Sequence, residues 1–154
     1  MSQGRIHLEM GEREKAEEAF RKAALDLDEP AGYFYLSQLQ EPGSPNQHVY
    51  LLKAASSGIL EACHNLGALE LAKIEKQEKK PTKLQDYGMA MEWFQISAAD
   101  GFGLSILNMA LIHKAVGQEE DGQNWLQKAE AIPAVKDQAI KLKQQWADKT
   151  VTLP

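Results

Sequence analysis

Apolar residues recur at helical spacing along almost the whole chain. In the stretch QDYGMAMEWFQISAADG, Gln85 to Gly101, one row holds Met89, Trp93, Ile96 and Ser97, and the next holds Ala90, Phe94 and Ala98. Two adjacent rows make a wide inward arc. Its mixture of large aromatics and alanines suits a helix packed between two others, because small residues let backbones approach. Trp93 and Phe94 therefore read as core rather than as a ligand platform. Asp86 stands where an N-cap is expected, and Gly101 where a left-handed residue would end the helix.

The same arrangement returns elsewhere. Placing Gly58 on Gly101 brings Ala55 onto Ala98, Asn65 onto Asn108 and Leu66 onto Met109. Placing Phe20 on Tyr50 brings Ala24 onto Ala54, Leu36 onto Leu66 and Leu39 onto Leu69. Such self-similarity marks a helix–turn–helix repeat. The pattern predicts helices over 2–10, 12–27, 31–40, 47–56, 60–79, 87–99, 102–116, 120–131 and 133–149. Gly11 is the first turn, Pro30 lies near a helix start, and 41–46 (EPGSPN) is a loop by composition. In the helix after Gly11, Ala16, Ala19, Phe20, Ala23 and Leu27 are expected inward. No segment combines alternation with β-branched richness, so no strand is expected. The architecture is all-α, an α–α superhelix of about four helix–turn–helix repeats (1–29, 30–58, 59–101 and 102–131) in a single domain. A capping helix follows at 133–149, with Val135, Ala139, Leu142 and Trp146 on one face to cover the last open core. A docking helix for another chain is the alternative use of that stripe.

Charge narrows the partners. The net charge is -5, whereas phosphate binding calls for a basic footprint, so nucleic acid is not an expected partner. From Lys73 to Lys83 five lysines outnumber two glutamates. That stretch reads as a solvated helix extension, and less readily as a contact arm for an acidic partner. No apolar run reaches the roughly 20 residues that cross a bilayer. The opening MSQGRIHLEMGERE has the pattern of neither a signal nor a transit peptide. The single cysteine, Cys63, allows no intramolecular disulfide. This fits an intracellular, reducing compartment: cytoplasmic, or the mitochondrial matrix if a targeting segment has been removed.

The block at Gln85–Gly101 resembles the Sel-one-like repeat branch of the tetratricopeptide superfamily, with its D-Y-x-x-A-x-x-W-F-x-x-x-A-x-x-G run. EACHNLGAL at Glu61–Leu69 is similar to that branch's first helix, although Glu70 stands where an aromatic is usual. GRIHLEMGEREKAEEAFRKA at Gly4–Ala23 looks like an ordinary tetratricopeptide unit. The resemblance covers roughly residues 4 to 131, and the gap at Leu71–Leu84 is longer than the family's. It implies first helices lining a concave groove for a protein or peptide partner, drawn from Arg5, Phe34, Gln38, His64, Ala68, Leu107 and Leu111. That set holds no lysine–asparagine cluster, so the family's carboxylate clamp is not expected. Asn65 and Asn108 share one repeat position, where a structural hydrogen bond to a neighbouring loop is the first expectation.

Catalytic chemistry finds no residue set. Cys63 and His64 are adjacent on a helix and point about 100° apart. His7, His48, His64 and His113 have no metal-ligand spacing, and neither CxxC, HExxH, a Walker sequence nor SxxK occurs. No cofactor or metal is expected. The leading reading is a non-enzymatic adaptor or complex-assembly scaffold. Beside it stand a structural subunit docking through the Trp146 helix, and a small helical enzyme or ligand carrier built around His64.

Overall fold

The structure, a computed structural model, describes the backbone of residues 3–152 and the side chains of residues 11–148. Among the described residues every regular element is helical. In order they are α1 (Gln3–Asp26), α2 (Pro30–Leu39), α3 (Pro45–Ser56), α4 (Leu60–Glu75), a 3-10 turn (Leu84–Tyr87), α5 (Gly88–Ala99), α6 (Gly103–Ala115), α7 (Glu119–Glu130) and α8 (Lys136–Thr152). The all-α class expected from periodicity is therefore found. The chain divides into two compact units, Met1–Ala62 and Cys63–Pro154, with the division inside α4. Consecutive helices pack on each other: α1 on α2 and α2 on α3 in the first unit, and α5 through α8 in succession in the second.

The first departure from the sequence pattern is α1. Gly11 does not break it, and the two expected helices are one of 24 residues. A glycine inside a helix costs about 1 kcal/mol relative to alanine but does not forbid the conformation. The flanking Glu, Arg, Lys and Ala are good helix formers. The inward set shifts too: Ala24 is the fully buried residue, while Ala19 is exposed and Leu27, beyond the helix end, is 64% exposed. Gly32 on α2 explains the close contact with α1. A Cβ there would stand 2.8 Å from the Ala24 backbone nitrogen and 3.1 Å from the Phe20 carbonyl oxygen. The Phe20 ring stacks on Tyr35 at 4.9 Å. Arg13 of α1 donates to the Leu39 carbonyl at the end of α2 (2.7 Å), where a cation suits the helix dipole.

Three helices end alike, and this is the repeat in physical form. After α3 the Ile59 N–H reaches the Ala54 carbonyl, after α5 Phe102 reaches Ser97, and after α6 Gln118 reaches His113. Gly58, Gly101 and Gly117 take φ of 93°, 89° and 84° to allow the closure. Other boundaries move. α3 begins at Pro45, inside the expected loop, with the Ser44 hydroxyl accepting from the Gln47 N–H (3.2 Å). α4 stops at Glu75, and α8 starts only at Lys136. Asp86 does not cap α5. Its carboxylate accepts from the Thr82 and Lys83 N–H groups (3.0 and 3.1 Å), which close the preceding loop and hold its carboxyl below the usual range.

In the second unit the buried row of α5 is Ala90, Phe94, Ser97 and Ala98. Met89 (54%) and Ile96 (51%) are exposed, against expectation, and Trp93 is half-buried. Phe94 is fully buried over Gly67 of α4, where an added Cβ would meet its ring at 2.7 Å. Around it lie Met109, Ala110, Leu126, Val135, Ala139 and Trp146 in one core. The apolar stripe of α8 thus faces its own unit.

Gly67→Ala must displace the fully buried Phe94 ring. It should lower stability by about 1–3 kcal/mol, as should Gly32→Ala, where the obstacle is backbone. Urea denaturation of each variant measures this, and unchanged midpoints would contradict both contacts.

Candidate functional site

His64 is the centre of the most unusual polar arrangement in the second unit. It sits one residue after the buried Cys63, whose thiol burial pushes up in pKa. Its ring is wedged between Phe94 and Phe102, each 5.3 Å away. Its Nδ1 lies 2.8 Å from the Ser105 hydroxyl, and Ser105 is in turn hydrogen-bonded to Ser97. Both serines are fully buried. The Ser97 hydroxyl donates back to the carbonyls of Phe94 and Trp93 (3.4 Å each). His64 Nδ1 and the Ser105 and Ser97 hydroxyls thus form one buried hydrogen-bonded chain that ends on the backbone of α5. Burial of the ring favours the neutral imidazole. No described buried side-chain nitrogen or oxygen lacks a partner, so Nε2 reaches open space rather than core.

That space is a cavity of about 380 Å³ between α4, α6 and α8. Leu104, Leu107, Leu111 and Leu142 form its apolar wall. His64, Asn108, Gln138, Lys141 and Gln145 supply the polar lining. Three of the residues expected from sequence, His64, Leu107 and Leu111, meet here. Leu107 is buried and Leu111 is 41% exposed. Ala68, one turn beyond His64, is exposed and outside the lining. Phe34 and Gln38 belong to the first unit, where Phe34 is buried and Gln38 exposed. Arg5 lies outside the residues whose side chains are described. Sequence reasoning missed the α8 side, Gln138, Lys141 and Gln145. Their spacing of three and four puts them on one face of the last helix, beside its apolar stripe.

Asn108 lines the cavity. His113 is separate, buried with its Nδ1–H donating to the Met109 carbonyl (2.7 Å). Among the described residues no group of three or more His, Cys, Asp or Glu could hold a metal ion. No helix among them is long and apolar enough to cross a membrane.

A family model described as the tetratricopeptide repeat matches residues 1–25, a span that overlaps α1 (Gln3–Asp26). No curated protein and no solved structure matches the chain. The match supports the tetratricopeptide resemblance read from Gly4–Ala23, and repeats of that kind generally bind other proteins.

Burial holds the pKa of His64 below its ordinary value near 6.5. The unfolded chain then binds the proton more readily than the folded one. Stability is fully retained above pH 6.5 and falls as the pH is lowered through the window beneath it. Nitrogen-detected NMR should show a titration midpoint under 6.5. His64→Gln should flatten the loss of urea resistance between about pH 7 and about pH 5. A midpoint at or above 6.5 would contradict the assignment.

Proposed function

We propose that the chain is a non-enzymatic interaction scaffold of the Sel-one-like type, an adaptor or assembly factor that holds a peptide or helix of a partner protein. The observation that carries this is the cavity between α4, α6 and α8, where His64, Leu107 and Leu111 converge. Recognition sites are concave and mostly apolar, with a few placed polar groups, and this lining has that composition. The tetratricopeptide match at residues 1–25 supports the same class of function.

The competing readings find less to stand on. Docking through the apolar stripe of α8 would need Val135, Ala139 and Trp146, which are 3%, 0% and 7% exposed. An enzyme built on His64 would need a nucleophile in reach. Its hydroxyl neighbour, Ser105, is fully buried and serves to orient the ring.

Leu111→Glu puts a charge on the cavity wall at an exposed position and should leave the fold intact. Affinity capture with quantitative mass spectrometry should lose the partner with this variant. Met89→Glu, at a more exposed position on α5 that does not line the cavity, should keep it. Equal capture by both variants would move the binding surface elsewhere.

A further inference from the structure

The segment that joins α4 to α5 carries the densest run of lysines in the chain, and it is fixed at both ends. Leu71 and Ile74 before it and Leu84 after it pack against the core of the second unit, and Tyr87 is buried in that core. The Gln77 N–H reaches the Ile74 carbonyl (3.1 Å). At the other end the Asp86 Oδ2 accepts from the Thr82 and Lys83 N–H groups. Pro81, just before them, has its φ locked by its ring. Held in this way, the segment surrounds a hollow of about 400 Å³. Lys79, Lys80, Lys83 and Asp86 line it, with Gln77 and Thr82 between them. It shares no lining residue with the cavity at His64.

Charge around this hollow is unbalanced. Three lysines and one aspartate leave a balance of +2, and Glu75 and Glu78, the glutamates of the run, stand outside the lining. Lys73 pairs with Glu70 (3.3 Å), but among the described residues Lys79, Lys80 and Lys83 have no ion pair. Like charges gathered around one concavity repel, and a run that served only solvation would gain by spreading them. A dianion removes the repulsion. We infer that the hollow binds a phosphate monoester, its oxygens held by the ammonium groups of Lys79, Lys80 and Lys83, with the Gln77 amide and the Thr82 hydroxyl as further donors. Such a group carries about -1.5 to -2 at pH 7, which matches the lining, whereas a carboxylate would leave half of the charge unanswered. Lysine suits the task because it binds phosphate as a point charge. No aromatic side chain lines the hollow to stack on a base, so the phosphate itself is what is recognised. It can come from a phosphorylated side chain of a partner protein or from a small phosphorylated metabolite. The site does not rest on the scaffold reading.

The test titrates the full chain with inorganic phosphate, glycerol phosphate and a phosphoserine peptide at constant ionic strength, reading backbone amide shifts by NMR. Each should give saturable shifts at Lys79, Lys80 and Lys83, and acetate should not. The second ionisation of a phosphate monoester lies near pH 6, about, while lysines stay charged far above it. Glycerol phosphate should therefore bind more weakly as the pH is lowered from about 7.5 to about 5. Lys80→Gln and Lys83→Gln, both at exposed positions, should each weaken binding about fivefold. Lys76→Gln removes the same charge from the same run but outside the lining, and should cost less than about twofold. A peptide that binds more tightly than glycerol phosphate, and not at all without its phosphate, supports the site with a partner side chain as the source. Equal binding of the two supports it with a small metabolite as the source. Equal losses in all three variants, or acetate shifting the same amides as strongly as phosphate, would overturn the site and leave a solvated charge run. Binding to phosphatidic acid vesicles with no response to the soluble phosphates would overturn it in favour of a membrane surface.

Discussion

A helix can lie close against its neighbour only where one of the two gives up a side chain. In the second unit that point is Gly67, over which the fully buried Phe94 ring lies. In the first it is Gly32, whose Cα faces the backbone of α1. Gly103 does the same for the turn before α8, where a Cβ would stand 2.8 Å from a Val135 methyl. Close packing of this kind is unforgiving, because a core at crystal-like density cannot absorb even one extra methyl without moving something. The bulky core residues, Phe94, Leu126 and Met109, are placed by these absences as much as by their own hydrophobicity. Helix propensity decides that the segments coil; the missing side chains decide how near they come.

That constraint explains what the sequence made legible. Helix identity was readable from Glu12 onward because the apolar spacing is strong and the terminal glycines announce themselves. Gly58, Gly101 and Gly117 all end helices in the left-handed conformation. Gly11 has the same identity and a different outcome, since nothing near it in sequence distinguishes a turn from a tolerated interior glycine. The phase of α5 was harder still. Both of its apolar rows were expected inward, and the buried set is the Ala90, Phe94 and Ala98 row with Ser97. The small residues let the neighbouring helices approach, and Met89 and Ile96 are left exposed. Ser97 was placed in the apolar row for its position, and its hydroxyl is what anchors the His64 chain.

The candidate site was legible only in part for a related reason. His64, Leu107 and Leu111 come from first-helix positions of the repeat, which periodicity identifies. The far wall comes from α8, which the repeat pattern does not describe because it is no longer a full repeat. A terminal helix has two jobs that compete for its faces. One stripe must cover the last core, and Val135, Ala139 and Trp146 do so. What remains is ordinarily solvent, and only the tertiary placement of Gln138, Lys141 and Gln145 beside α6 makes it a wall.

The site and the core also share atoms, and this bears on how any effect at His64 is read. Phe94 fills the space above Gly67 and flanks the imidazole; Ser97 bonds to its own helix and, through Ser105, to Nδ1. A substitution at Phe94, Ser97 or Ser105 therefore alters packing and ring orientation together. Loss of binding from such a variant would say nothing of recognition by itself. Leu111 and Lys141 are different. Leu111 is partly exposed, Lys141 is exposed, and both lie at the open side of the cavity. Changes there act on an occupant without passing through the Gly67–Phe94 contact, so recognition and folding separate at these two positions, while at the imidazole they must be separated by chemistry on the ligand instead.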